Sequence, residues 1–432
     1  MRLARLCGGI MTYIEFFDNN EAENICACLT GTPEKVILIG DSEQMLKTHA
    51  ERYRRLFLNR GIEIEFICEE VDKNNLSEIV DLLCGIVEEY EDCAFDLTGG
   101  GDLFLVATGI VYYRYRDMDL QLHRFNILNN RVYDCDNDGN FISINNLPRL
   151  TVEENIMLFG GSLVFESERG GTTVRWDWTE DFRKDILAMW DICRIDVSMW
   201  NTQVGIFAAI AGFNHSESLK CTADIGSLKK LLESAGTKYK MIPRIINGLV
   251  KLGLITADTS AADRIVLTFK NGQIKKCLTK AGQILEMVVT TAAMEAIGDD
   301  GDPVYNDVVN GAYIDWDGDV HTQKGFYDTH NEIDVLMMHE MIPVFVSCKN
   351  GSFEIDELYK LDSVASRFGG KYVKKALITS AMGKSSRRAG YIRQRAKDMG
   401  ICLIENPQKM SGGKLKRIMG TLWQSEPCGT TR

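Results

Sequence analysis

Residues 343–351 read PVFVSCKNG, and the residue that decides the fold is Lys349. Val344, Phe345 and Val346 make a short apolar run of the kind that forms a buried strand, and Asn350-Gly351 is a turn signal. An ammonium at the end of a core strand is costly unless it meets an anion. The preceding stretch, NEIDVLMMHEMI (331–342), has the pattern of a second strand, so the two segments read as a hairpin. Side chains alternate along a strand, which puts Glu332 and Asp334 on one face and Ser347 and Lys349 on one face. Where those faces coincide, Lys349 meets Asp334, as a buried ion pair or as part of a reactive centre.

Working outward, TKAGQILEMVVTTAAMEAI reads as a long helix carrying Glu286 and Glu295. EIDELYKLDSVASRFGG is an amphipathic helix carrying Glu357, stopped by glycine. KKALITS and ICLIEN are strands, and SSRRAGYIRQRAKDMG between them is a basic helix. Several carboxylates around one lysine suit a Mg²⁺ or Mn²⁺ site with oxygen ligands.

The N-terminal segment alternates strand and helix: TYIEFFD, ENICACLTG, KVILIG, a charged helix, IEIEFIC, LSEIVDLLCGIVEEY, then CAFDLTGGGDLFLVATGIVYYRY. LQLHRFNIL is one further strand. That order predicts an α/β fold with a mostly parallel sheet, whose ligands bind beyond the carboxyl ends of the strands. In DLTGGG, Thr98, Gly99, Gly100 and Gly101 follow a strand and open a helix at Asp102, which suits a phosphate. The run is neither a Walker loop nor G-x-G-x-x-G. Two polar loops, Asp18-Asn19-Asn20 and Gly40-Asp41-Ser42, are expected at the same sheet edge.

In the middle, SLKKLLESAGTKYKMIPRIINGLVKLGLI predicts two helices joined by a turn at Ala235-Gly236. RIVLTFKNGQIKKCL predicts a hairpin about Asn271-Gly272. Helix-turn-helix plus hairpin suggests a winged helix, with Lys238, Lys240 and Arg244 on the second helix able to touch DNA.

The 432 residues are too many for one ordinary core, so two or three domains are expected. Residues 360–432 hold 16 Lys+Arg against 4 Asp+Glu in a chain whose net charge is −12, an asymmetry that suggests contact with a polyanion. The 13 cysteines include no C-x-x-C and read as buried free thiols of a cytoplasmic protein. No apolar run is long enough to span a membrane. The first ten residues, MRLARLCGGI, read as an upstream start or a tail, too short for a signal peptide. His321, His330 and His339 lack metal-ligand spacing, and His339-Glu340 is expected solvated in the hairpin turn.

Helix, strand, hairpin with D…x-x-K, helix and strand resemble the PD-(D/E)-x-K restriction-endonuclease-like fold. NEIDVLMMHEMIPVFVSCKNG with ELYKLDSVASRFGG resembles more narrowly the CARF-domain nucleases of type III CRISPR systems, and IEFFD, KVILIG and DLTGGG resemble their CARF strands and ligand loop. The resemblance implies a Rossmann-like CARF domain over 11–150, a linker and winged-helix-like region over 151–280, and a nuclease domain over 281–432. It implies a homodimer that binds cyclic tetra-adenylate through Asp18, Asn19, Asn20, Gly40, Asp41, Thr98, Gly99, Gly100, Gly101 and Asp102. The activity implied is metal-dependent, sequence-non-specific cleavage of DNA or RNA in antiviral defence. Asp334 would be the principal ligand of Mn²⁺ or Mg²⁺, Lys349 the catalytic lysine and Glu286 the helix-borne acid. Arg387, Arg388, Arg393 and Arg395 would hold the nucleic-acid backbone. The family motif has E-x-K where this chain has Ser347-Cys348-Lys349, so the missing carboxylate is sought on the following helix, at Glu357 first and Asp362 second. The alternative is a ligand-sensing transcription regulator whose nuclease domain is inactive.

Overall fold

A computed structural model describes residues 11–424 except 91, 119, 129–130, 136–140, 145–147, 167–170, 259, 262, 320, 322–328 and 384. The expectation for residues 1–10 lies outside the described residues.

The N-terminal sheet comprises β1 (Thr12–Phe16), β2 (Lys35–Gly40), β3 (Glu65–Glu70), β4 (Cys93–Asp96), β5 (Gln121–Asn126), β6 (Arg131–Cys135) and β7 (Phe141–Ile144). Their order is β3-β2-β1-β4-β5-β6-β7. The first five are parallel and the last two run antiparallel. The helices are α1 (Cys26–Gly31), α2 (Glu43–Asn59), α3 (Leu76–Glu89) and α4 (Asp102–Arg114).

KVILIG is continuously apolar because both of its faces are covered. Ile37 and Ile39 join Ile14 and Phe16 under α3 and α4, while Val36 and Leu38 join Tyr13 under α1 and α2. That second core continues into the C-terminal part of the chain. Tyr13, Tyr53 and Phe57 belong to one apolar cluster with Met341, Phe345 and Phe368.

Next come α5 (Val152–Leu158), β8 (Ser162–Leu163), α6 (Glu180–Cys193), α7 (Val197–Gly212), β9 (Lys220–Asp224), α8 (Ile225–Ser234), α9 (Pro243–Lys251), β10 (Ile255–Asp258), β11 (Arg264–Phe269) and α10 (Gly272–Thr279). The two predicted helices are α8 and α9, but Lys238 and Lys240 precede α9 rather than lying on it. The hairpin at Asn271-Gly272 does not form. Asn271 Oδ1 instead accepts the Ile274 N–H at 2.9 Å and caps α10. The antiparallel hairpin is β10–β11, one step earlier, and β9 completes a three-stranded sheet.

The C-terminal part holds α11 (Gln283–Met294), β12 (Asp307–Asp315), β13 (His330–His339), β14 (Ile342–Lys349), α12 (Asp356–Phe368), β15 (Lys374–Thr379), α13 (Ser386–Asp398), β16 (Ile401–Glu405) and α14 (Gly412–Met419). Its sheet runs β16-β15-β14-β13-β12-β8. β12, β13 and β14 form an antiparallel meander, and β14, β15 and β16 are parallel. The expected hairpin is therefore present as β13–β14, with Val335 opposite Val346. α12 buries Leu358, Leu361, Ala365 and Phe368 in the core shared with the N-terminal sheet. His339 is not solvated as the turn suggested: its Nδ1 sits 2.5 Å from Val304 O and its ring stacks on Trp423 at 3.8 Å. Burial lowers its pKa.

Candidate active site

The hairpin register puts Ser347 and Cys348 beside Asp334. Asp334 Oδ2 accepts the Cys348 N–H at 2.6 Å and the Ser347 hydroxyl at 3.1 Å. Lys349 Nζ lies 3.9 Å from that same oxygen and 2.8 Å from Glu357 Oε2 in the first turn of α12. Burial works against the charge on Lys349, but Asp334 and Glu357 outweigh it and raise its pKa above the ordinary lysine value. Lys349 is thus a fixed positive charge at neutral pH and is not suited to serve as a base.

Glu286 reaches the same place from α11. Gly282, at φ 88°, turns the chain into that helix, a conformation glycine adopts without strain. Gln283 Nε2 donates to Glu286 Oε2 at 3.1 Å and to Asn310 Oδ1 at 3.0 Å, which fixes the helix against β12. Burial first, then the charge of Asp334, push the Glu286 carboxyl up to about 8. Burial likewise raises Asp334. Carboxylate oxygens of Glu286, Glu332 and Asp334 all lie within 4.8 Å of one another. Three hard oxygen donors at that spacing fit Mg²⁺ or Mn²⁺.

At the carboxyl ends of β1 to β4 a cleft of about 580 Å³ opens between Asp18, Asn19, Gly40, Asp41, Lys73, Asn74 and the turn Gly100-Gly101-Asp102. Gly100 has φ 86°, and a Cβ there would stand 2.6 Å from Phe16 Cβ, so the turn needs glycine. Gly101 has open space around it and precedes α4 without any side-chain cap. The Phe104 N–H donates to Gly101 O at 3.1 Å, and the N–H groups that precede it have no acceptor within the helix, the kind of end at which anions bind.

No family model matches the chain, and no curated protein matches it by sequence. Among solved structures, protein VC1899 from Vibrio cholerae is similar at a TM-score of 0.71 and 16% identity, over 96% of this chain and 98% of that one. Can2 from Sulfobacillus thermosulfidooxidans, solved in complex with cyclic tetra-adenylate, is similar at a TM-score of 0.59 and 17% identity, over 95% of this chain and 98% of that one. The chain shares their fold.

Within this Can2-like fold, Asp334, Lys349 and Glu286 come together as expected. Glu357 touches Lys349 but falls outside the cluster of potential metal ligands. Hydrogen bonds from Lys349 and Lys360 outweigh its burial and hold its carboxyl below the usual glutamate value. Asp362 is taken by Lys375 at 2.6 Å, and Glu295 pairs with Lys416. Ser347 orients Asp334. Sequence reasoning placed Glu332 on the right face but gave it no role, and it missed Lys280, whose Nζ lies 2.6 Å from Glu332.

Of the ten expected ligand residues, Thr98, Gly99 and Asn20 do not line the cleft. Thr98 Oγ1 accepts the Phe125 N–H at 2.8 Å, and its hydroxyl donates to Asp96. Gly99 lets its loop close on Asp18, where a Cβ would stand 3.1 Å away. Asn20 Oδ1 accepts the Lys371 N–H at 3.4 Å. Lys73 and Asn74, from the loop after β3, were not anticipated. Of the basic residues, Arg387 is exposed, Arg388 pairs with Glu354, and Arg393 is held bidentately by Glu405 at 2.6 and 2.8 Å. Arg395 lies over the rings of Tyr359 and Tyr391. No helix among the described residues is long and apolar enough to cross a membrane.

Proposed function

We propose that this chain is a cyclic-oligoadenylate-activated, metal-dependent nuclease of type III CRISPR defence, acting in the cytoplasm as a homodimer. The observation that carries the reading is the convergence of Glu286, Asp334 and Lys349 on a helix and a hairpin, in a fold similar to that of Can2 with its cyclic tetra-adenylate. Bound Mn²⁺ or Mg²⁺ would supply an activated water and a positive charge for the phosphate oxygens. Asp334 and Glu286 would hold the ion. Lys349 keeps its proton and stabilises the negative charge that builds on the scissile phosphate. Ser347 and the Cys348 N–H fix Asp334 through its Oδ2.

Cyclic tetra-adenylate occupies the N-terminal cleft, with its phosphates at the α4 N-terminus and Lys73 and its riboses at Asp18 and Asp102. A ring suits a two-fold axis on which each protomer offers the same loops. α4 supports the dimer: beside the cleft it exposes Leu105, Val106, Ile110 and Tyr113, a face that a second copy would cover. Arg387 and the neighbouring basic side chains contact only the nucleic-acid backbone, so cleavage is sequence-non-specific and weakens with salt.

One observation favours the second reading, a transcription regulator with a silent nuclease domain. Ser347 spends its hydroxyl on Asp334 and supplies no carboxylate, while Lys238 and Lys240 before α9 and Arg244 on it stand exposed. Labelled DNA and RNA incubated with Mn²⁺, with and without cyclic tetra-adenylate, separate the two. Ligand-stimulated cutting that disappears in Asp334→Asn is the expected result. Ligand binding without cutting under any condition would overturn the nuclease reading.

A further inference from the structure

Position 347 cannot provide the carboxylate that the resembled motif places there, and Glu357 is occupied by two lysines. The third acid in the cluster comes from a different strand. Glu332 precedes Asp334 by two residues on β13, so both side chains leave the same face of the hairpin. Its carboxylate oxygen lies within 4.8 Å of those of Glu286 and Asp334.

A positive charge already bridges part of this cradle. Lys280 Nζ sits 2.6 Å from Glu332 Oε1 and 3.8 Å from Glu286 Oε2. Its ammonium stands in for a hard cation between two of the three acids. Gly282, two residues on, makes the turn that folds Lys280 back over the first turn of α11. The Lys280 side chain is 47% exposed and that of Glu332 35%, so the lysine can swing into solvent without disturbing the core.

We propose that Glu332 is the third carboxylate of the metal centre, and that Lys280 is an internal counter-cation which the metal must displace. The inference rests on the metal-dependent reading above. A divalent ion offers these oxygens twice the charge of the ammonium, and its dependence on concentration makes the exchange a competition. Metal affinity is then set by Lys280 as well as by the ligands. An ion pair with only a structural role would leave metal affinity unchanged when either partner is neutralised.

The test is Mn²⁺ binding to the full-length protein, followed by the electron paramagnetic resonance of free Mn²⁺, so that no cleavage is needed. Melting curves accompany each variant to verify folding. Lys280→Gln is expected to tighten binding and Glu332→Gln to weaken it, each about tenfold, in the range typical for residues in and around a metal site. Lys360→Gln removes an equal charge beside Glu357 and is expected to change binding less than about twofold. Equal tightening by Lys360→Gln and Lys280→Gln would reduce the effect to a general field and overturn the proposal. Unchanged binding in both Lys280→Gln and Glu332→Gln, with loss in Asp334→Asn, would overturn it while leaving the metal centre standing. Absence of Mn²⁺ binding by the wild-type protein would overturn the metal-dependent reading, and this inference with it.

Discussion

Lys349 Nζ is 2.8 Å from Glu357 Oε2 and 3.9 Å from Asp334 Oδ2, so the helix acid, not the strand acid, makes its closer contact. Glu357 thereby aims the lysine. The pair also joins the end of β14 to the start of α12, the helix whose far end packs in the core shared with the N-terminal sheet.

Glu357→Gln is therefore expected to separate positioning from metal binding. The lysine loses its closer anion, and turnover should fall about tenfold, as for other residues that orient a site. The Mn²⁺ concentration needed for half-maximal cleavage should stay within about twofold. A large rise in that concentration would instead make Glu357 a metal ligand.

Ser347→Ala removes one hydrogen bond to Asp334 and leaves the Cys348 N–H in place. A hydrogen bond to a charged partner contributes about 1.5–3 kcal/mol, and here the remaining donor softens the loss. The expected result is a melting temperature lowered by a few degrees, with cleavage reduced but present. Complete loss of cleavage with normal Mn²⁺ binding would give the hydroxyl a direct part in the chemistry.

The cleft loop can be divided by two alanine substitutions. Gly100→Ala places a Cβ against Phe16 in a backbone conformation alanine resists, at a cost of about 1–3 kcal/mol. Gly101→Ala meets nothing and should melt like the wild type. A methyl at Gly101 nevertheless stands at the mouth of the cleft, so cyclic tetra-adenylate should bind at least several-fold more weakly, by calorimetry. Unaltered affinity would remove this turn from the ligand site.

The parts legible in the sequence were those fixed by short-range period. The strand-like stretches on either side of His339-Glu340 defined the hairpin, two-residue alternation brought Asp334 and Lys349 within reach of each other, and continuous apolar strands such as KVILIG defined the parallel sheet. Asn271-Gly272 misled because the dipeptide serves both a hairpin turn and a helix start. The residues after it decide: Ile274, Cys277 and Leu278 are buried with helical spacing. Glu332 and Lys280 could be placed on their elements but not in space, since their pairing depends on how α11 docks against β13. The basic helix was read by charge alone, which could not show that Glu405 of β16 already holds Arg393.

The proposed ligand signalling has a contact through which it can be tested. Asp18, on the cleft rim, exchanges two hydrogen bonds with Asn24, at 2.7 and 2.8 Å. The adjacent Glu23 accepts the Tyr372 hydroxyl and lies 3.4 Å from Lys371 Nζ, both just beyond α12. Tyr372→Phe should leave cyclic tetra-adenylate binding within about twofold. The ratio of ligand-stimulated to basal cleavage should fall about fivefold, the lower end of ordinary coupling energies. An unchanged ratio would route the signal elsewhere.

Asp96 predicts a pH dependence of stability. It is wholly buried on β4, one position beyond the pair Ile14 and Phe95, which puts it level with Glu15 on β1. Burial, opposed by hydrogen bonds from Thr98, pushes its carboxyl up to about 6, from 3.8. Burial and Asp96 raise Glu15 well above the usual glutamate value. A carboxyl whose pKa is higher folded than unfolded binds more protons in the native state, so it favours folding at low pH and loses that contribution as pH rises through the folded value. The Asp96 contribution is complete below about pH 4 and gone above about pH 6. Its full span is about 3 kcal/mol, taking 1.36 kcal/mol per unit. Asp96→Asn keeps an oxygen for Thr98 but cannot ionise. Melting temperatures from pH 4 to 7 should therefore fall less steeply in the variant than in the wild type. Parallel curves for the two proteins would mean that Asp96 stays ionised in the folded state.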